Sequence, residues 1–293
     1  MTGRVLVVGD VAADVLVTPL ATPVPGADVR ARIRTTAGGA GANTAAWLAH
    51  LGATVTLVAR VGDDAAGRGA AAELAAAGID TALAVDPQHP TCTVVALLHD
   101  GDRTLLSDRG AAAYLSPADL PDPAGATHLH LSGYVLLDAS SRPAGIAALA
   151  AARAAGLSTS VDPQVAPALG PAFLDLVRGV DLLLPNAAEL AALGGIAAVR
   201  RSVGAVASTA AGGVATWQDG AGTWNVAAPA VEVVDATGAG DAFNAGVLLA
   251  RLRGADPEAA LRAGCAAGAA AVSALGARPS PSATPTPSRT TLS

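Results

Sequence analysis

The sequence predicts an α/β fold: a mostly parallel sheet with helices on both faces, and a small β-sheet lid beside it. Three observations predict it. Strand and helix signals alternate along most of the 293 residues. Two stretches break that rhythm with strand patterns that no helix separates. Hydrophobic residues make up 52% and charged residues only 14%, enough apolar surface for one large core.

The elements follow in order. Residues 4–8, RVLVV, read as a buried strand. A helix is expected over 41–51, a strand over 54–60 and a helix over 64–77 that ends at Gly78. Residues 128–132 read as a strand, 140–155 as a helix closed by Gly156, and 158–161 as a strand. A short strand at 181–184 precedes a helix from Ala187. Residues 214–217 and 223–226 flank Asp219-Gly220, the signature of a hairpin. Helices close the pattern at 239–252 and 257–274. The exceptions are 11–36 and 93–107, whose strands are expected to form the lid, with His99-Asp100-Gly101-Asp102 as a hairpin turn. Residues 1–277 therefore read as one domain. From Arg278 onward Pro, Ser and Thr dominate and no apolar period remains, so 278–293 is expected to be a disordered tail.

Composition excludes several functions. A net charge of −6 and 2% aromatic residues argue against a nucleic-acid partner. All 18 basic residues are Arg, which rules out a GxxxxGK[ST] phosphate loop and a Schiff-base lysine. Cys92 and Cys265 have no metal-like spacing and read as buried free thiols of a reducing compartment. Met1 leads straight into the first strand with no signal peptide, and no apolar run is long enough to span a membrane. A cytoplasmic location is expected.

Four motifs carry chemistry. Asp235-Ala-Thr-Gly-Ala-Gly-Asp241 opens an apolar helix after the strand-like 231–234. The first turn of a helix has N–H groups without intrahelical partners and a partial positive charge. Gly238 and Gly240 are expected to let an anion approach that backbone, with the Asp241 carboxylate alongside and ionised. An anion cradle beside a carboxylate suits transfer of a phosphoryl group to a hydroxyl. The same residues also read as a plain capped helix start. Gly38-Gly39-Ala40-Gly41-Ala42-Asn43 likewise precedes a helix, and its glycines are expected to expose main chain to substrate hydroxyls. Pro185-Asn186-Ala187-Ala188-Glu189 follows a short strand and resembles a capping box. Gly9-Asp10, with Asp14 nearby, ends the first strand, where a carboxylate can accept from two sugar hydroxyls. Neither glycine stretch has GxGxxG spacing, which excludes the dinucleotide fingerprint.

Together these motifs resemble the ribokinase-like carbohydrate kinases, the PfkB family. The GGAGANTAAWLAHLGATVTLVARVGDDAAG block is similar to its N-terminal signature, DATGAGDAFNAG to its C-terminal one, and PNAAEL to its Asn-x-x-Glu motif. The resemblance covers 9–276 and implies a three-layer α/β/α fold with a β-sheet lid. It implies ATP and Mg²⁺ as cofactors, Asp241 as catalytic base, and Gly238, Ala239 and Gly240 as an anion hole. Asp10, Asp14, Gly38, Gly39 and Asn43 would hold the sugar, with Arg109 meeting a polar or anionic part of it. Asn186 and Glu189 would organise phosphates and water-coordinated Mg²⁺. Asp235 and Thr237 match the site where many members hold a monovalent cation such as K⁺. Ser208, Ala210 and Gly213 match the nucleotide loop, where Ala210 and Ser208 depart from the usual Gly and Thr. Cys265 stands where Asn or His is common near the adenine. The resemblance implies a small sugar as acceptor, a nucleoside being the rival, with Tyr114, Tyr134 or Trp47 as candidates to stack its base. A non-catalytic sugar- or nucleotide-binding relative is a further alternative. A homodimer joined through exposed lid edges is also expected.

Overall fold

A computed structural model describes residues 3–99, 102–210 and 213–279. Asp100 and Gly101 of the expected hairpin turn, and 280–293 of the expected tail, lie outside the described residues. In chain order the strands are β1 Arg4–Val8, β2 Ala12–Pro19, β3 Ala31–Gly38, β4 Val55–Gly62, β5 Asp80–Asp86, β6 Cys92–His99, β7 Asp102–Asp108, β8 Ala126–Ser132, β9 Ser158–Asp162, β10 Leu182–Leu183, β11 Ala205–Ala210, β12 Val214–Gln218 and β13 Thr223–Ala227. The helices are α1 Ala40–His50, α2 Ala65–Ala76, α3 Tyr134–Leu137, α4 Arg142–Ala154, α5 Pro171–Leu176, α6 Ala187–Ala192, α7 Ile196–Arg200, α8 Ala239–Leu252 and α9 Pro257–Val272.

Nine strands form one sheet in the order β13-β12-β11-β10-β9-β8-β1-β4-β5. All neighbours are parallel except β11–β12 and β12–β13. Strand β1 shows why its sequence is apolar throughout. Val5 and Val7 join the core beneath α1, α8 and α9, while Leu6 and Val8 join the core beneath α4 and α5. Successive side chains point to opposite faces, and helices cover both. The second sheet has the order β3-β2-β6-β7. It is built from the two stretches that lack helices.

Some elements differ from expectation. Strands β5 and β11 were not anticipated, because ALAV and AVASTA carry small residues and little contrast. Residues 231–234, read as a strand, form none. Val231, Val233 and Val234 are exposed, and the amides of Val234 and Asp235 bond the Val272 carbonyl at the end of α9 (2.7 and 3.2 Å). Buried His128 and His130 share the Ser160 hydroxyl at 2.8 Å each, and burial pushes them down to about 4 and about 3. They are neutral structural residues.

Candidate active site

The carboxyl ends of β1, β8 and β9 and the first turns of α1 and α8 meet at one cleft of about 1240 Å³. Ligands of open α/β sheets bind at this edge. Asp10, Asp14, Gly39, Asn43, Arg109, Gln164, Asp235, Thr237, Gly238 and Asp241 line it, and the small sheet forms the facing wall.

Helix α1 starts close to the β1–β2 connection because Gly39 lies in the left-handed region (φ 93°). A β-carbon there would sit 2.6 Å from the Asp10 carbonyl and 2.8 Å from the Ala12 amide. At Gly41 it would meet Asp10 and Gly9 backbone, and at Gly38 the Asp14 carboxylate. These glycines make room for the chain's own backbone and for Asp14, a demand the sequence reading did not include, and Gly39 also lines the cleft.

Asp10 is buried and already engaged. Its Oδ1 accepts from the Gly41 amide (3.2 Å) and the Ser132 hydroxyl (3.4 Å), and its Oδ2 from Arg109 Nη1 (3.2 Å). Arg109 also donates from Nε to Asp138 (3.1 Å) and lies 4.2 Å over the Tyr134 ring. The arginine expected to greet the substrate is thus clamped between two carboxylates. Its Nη2 alone is buried without a partner among the described residues. Asp14, by contrast, has no hydrogen-bond or ion-pair partner among the described residues. Burial and the Asp10 charge push its carboxyl up to about 6, with Arg278 pulling the other way.

Asp241 occupies the first turn of α8, where no side chain caps the helix. Its Oδ2 accepts from Asn43 Nδ2 at 3.0 Å. Burial, then the charge of Asp162, raises its proton affinity well above the usual carboxylate range, and Asp10 and Asp14 add to this. The expectation that the helix N-terminus keeps Asp241 ionised is therefore corrected in direction: its proton affinity is raised. Desolvation and like charges outweigh the dipole. Asp162 is held by Asn244 Nδ2 at 2.7 Å.

The two glycines of the cradle differ. Gly238 is left-handed (φ 75°), and a β-carbon on it would run into the Ala277 carbonyl. Gly240 faces open space. Gly238 is thus small to admit the chain after α9 and also lines the cleft, which Gly240 does not. Asp235 Oδ1 accepts from the Thr237 amide (2.9 Å) and hydroxyl (2.7 Å), and its Oδ2 from the Gly276 amide (3.0 Å).

Asn186 and Glu189 do form a capping box at α6. Asn186 Oδ1 accepts from the Glu189 amide (2.9 Å), and Glu189 accepts from the Asn186 amide (2.9 Å) and Nδ2 (2.6 Å). Glu189 is buried, and burial with the Asp162 charge raises its proton affinity. Thr209, next to Ser208 and Ala210 on β11, bridges Asn186. Gly213 starts the return into β12 with φ 75°. This group sits beside the cleft rather than lining it. Cys265, expected near an adenine, is buried in the core with Phe243 and Val247. Among the described residues no cluster of three His, Cys, Asp or Glu side chains could hold a metal, and no helix is long and apolar enough to cross a membrane.

Sequence reasoning missed Arg278, whose guanidinium reaches Asn43, and Asn244, whose polarity inside an apolar helix was the available signal.

The sequence profile of the pfkB family carbohydrate kinases matches residues 2–284. The chain belongs to this family. A fructokinase of Escherichia coli is 32% identical over 269 residues, spanning 85% of this chain and 84% of the relative. An ATP-dependent ribose-1-phosphate kinase of Halopiger xanaduensis is 33% identical over 295 residues, spanning 96% and 95%. The crystal structure of adenosine kinase from Sinorhizobium meliloti superposes with a TM-score of 0.85 at 25% identity, covering 95% of this chain and 96% of that one. This PfkB-family protein is a phosphotransferase with an alcohol acceptor, of the sugar or nucleoside kinase class.

Proposed function

We propose that this kinase transfers the γ-phosphoryl group of ATP to a primary hydroxyl of a small sugar, with Asp241 as general base. The observation that carries this is the placement of Asp241 beside the Gly238 backbone at the start of α8, in one cleft with Asn43 and with Asp14, which has no hydrogen-bond partner among the described residues. Asp14 and the free lone pairs of Asp10 accept from sugar hydroxyls. Asp241 takes the proton of the attacking hydroxyl, and the first-turn amides of α8 receive charge on the transferring group. Mg²⁺, when bound with ATP, would supply positive charge close to the transferring group. Glu189, buried and with its proton affinity raised by burial and the Asp162 charge, would hold such an ion through its coordinated water.

The nucleoside alternative finds little support. Tyr134 is the sole aromatic lining the cleft among the described residues, and it lies against Arg109. Trp47 is buried with Nε1 on the Ala277 carbonyl (3.0 Å), and Tyr114 stacks on His89. The intact Asp241 weighs against a non-catalytic relative. A second reading of the acceptor rests on Arg32 and Arg34. Both line the cleft without a carboxylate partner among the described residues, so they suit an acceptor with its own anion. A coupled ADP-release assay across ribose, fructose, ribose 1-phosphate, 2-keto-3-deoxygluconate, adenosine and inositol tests these readings. We expect turnover with a sugar. Turnover with adenosine alone overturns the sugar assignment. If an anionic sugar wins, Arg32→Ser with Arg34→Ser should raise its KM about tenfold or more. Exposed Ile33 and Leu106 on the small sheet support a homodimer through that sheet, which light scattering on the purified protein tests.

A further inference from the structure

We propose that Arg278 is a positioning residue for the base: its guanidinium orients the Asn43 amide so that the amide nitrogen donates to Asp241. The inference rests on the reading of Asp241 as base and extends it to a residue at the edge of a Pro/Ser/Thr-rich segment. Arg278 donates from Nε to Asn43 Oδ1 (3.2 Å), from Nη2 to the Gly38 carbonyl (2.8 Å) and from Nη1 to Glu73 (2.9 Å). Asn43 Nδ2 in turn donates to Asp241 at 3.0 Å. A guanidinium has donors only, so it selects the oxygen end of an amide and turns the nitrogen end the other way. The Arg278 side chain is only 10% exposed. Its base is fixed too, because the Ala277 carbonyl accepts from Trp47 Nε1 and the Gly276 amide donates to Asp235.

The consequence is electrostatic. Asp162 from β9, Asp10 and Asp14 from the β1–β2 region, and burial all favour the protonated form of Asp241. Asn43 from α1, as a donor to its carboxylate, and the Arg278 charge oppose them. Without Arg278 the amide is free to turn its oxygen towards a protonated Asp241, and the acid form gains on both counts.

Full-length Arg278→Met and Arg278→Lys variants test this. The first readout is a ¹³C-carboxyl NMR titration of Asp241, assigned by its loss in Asp241→Asn. The second is the pH profile of kcat/KM with fructose at saturating MgATP. In Arg278→Met we expect the Asp241 titration and the acidic limb of the profile to move up together by about one unit. That lowers kcat/KM about tenfold below the limb and restores most of it above. Arg278→Lys keeps the charge but not the planar fork, so it should shift less, and it carries the test if the methionine variant does not fold. A uniformly lowered profile with an unmoved titration overturns the proposal. If fructose is not phosphorylated by the wild type, the NMR titration still decides the positioning role, while the kinase assignment fails on its own assay.

Discussion

A carboxylate in the first turn of a helix normally gains from the unpaired amides around it. At Asp241 burial and the charges of Asp162, Asp10 and Asp14 exceed that gain, so its proton affinity lies above the usual carboxylate range. A general base must lose its proton before it can accept one. The rate is therefore expected to rise with pH through a value higher than that of an ordinary aspartate, and kcat/KM profiles at fixed ionic strength check this. Replacing Asp241 with Asn keeps the shape and removes the basicity. We expect kcat to fall by roughly 10²–10⁴-fold while calorimetry shows nearly unchanged MgATP affinity. A variant that keeps more than about a tenth of the rate contradicts the role. Asp10 does different work from the one its position suggests. Held by Gly41, Ser132 and Arg109, it anchors α1 and the Arg109 region to β1 as much as it faces a substrate.

Among the elements, the β4–β5 edge shows how a charged cluster replaces apolar packing. Asp86, at the end of β5, accepts from the amides of Gln88 (2.8 Å) and His89 (3.0 Å) and from Arg60 Nε on β4 (2.9 Å), and Arg60 also pairs with Asp119 (3.0 Å). Burial alone would raise the Asp86 carboxyl, but these donors hold it well below its usual range. Its folded value lies below its unfolded one, so its stabilisation is present above about pH 4 and is lost as the pH falls towards the folded value. Asp86→Asn should cost about 2–3 kcal/mol at pH 7 and flatten the loss of Tm between neutral pH and pH 3, which thermal melts across that range measure. At this scale the sequence was most readable where chemistry is local. Runs such as RVLVV betray a strand covered on both faces, and Asp241, Asn43 and the Asn186–Glu189 capping box announce helix starts. It was least readable where contrast or distance defeats a local pattern. Strand β11 is too small-sided to stand out, and the Val-rich 231–234 mimics a strand while bonding the end of α9. The Asp10–Arg109 pair joins residues 99 apart. Arg278 is one residue beside a biased run, and only folding reveals that it turns back to α1.

For the whole molecule, the question is how water is kept from the transferring phosphoryl group. The cleft of about 1240 Å³ exceeds the roughly 300–1,000 Å³ of ordinary ligand sites, which leaves room for the small sheet to move inward. The small sheet is joined to the large one by the connections after β1, β3, β5 and β7, and the left-handed Gly39 and Gly110 (φ 93° and 45°) lie at two of them. A β-carbon at either would strike backbone of another segment, so these joints are tightly packed and the sheet is expected to move as a body about them. Closure driven by acceptor and nucleotide together would bring Leu16, Val94 and Leu105 over the reacting groups and expel water that otherwise competes as acceptor. Hydrogen exchange followed by mass spectrometry checks this directly. Peptides covering β2, β3, β6 and β7 should exchange more slowly with acceptor and a non-hydrolysable ATP analogue than with either alone, while peptides of β8 and β9 change little. ATP hydrolysis without acceptor should be far slower than transfer. Equal exchange in all states, with hydrolysis as fast as transfer, would mean that the small sheet is a fixed wall and that water is excluded by some other part of the chain.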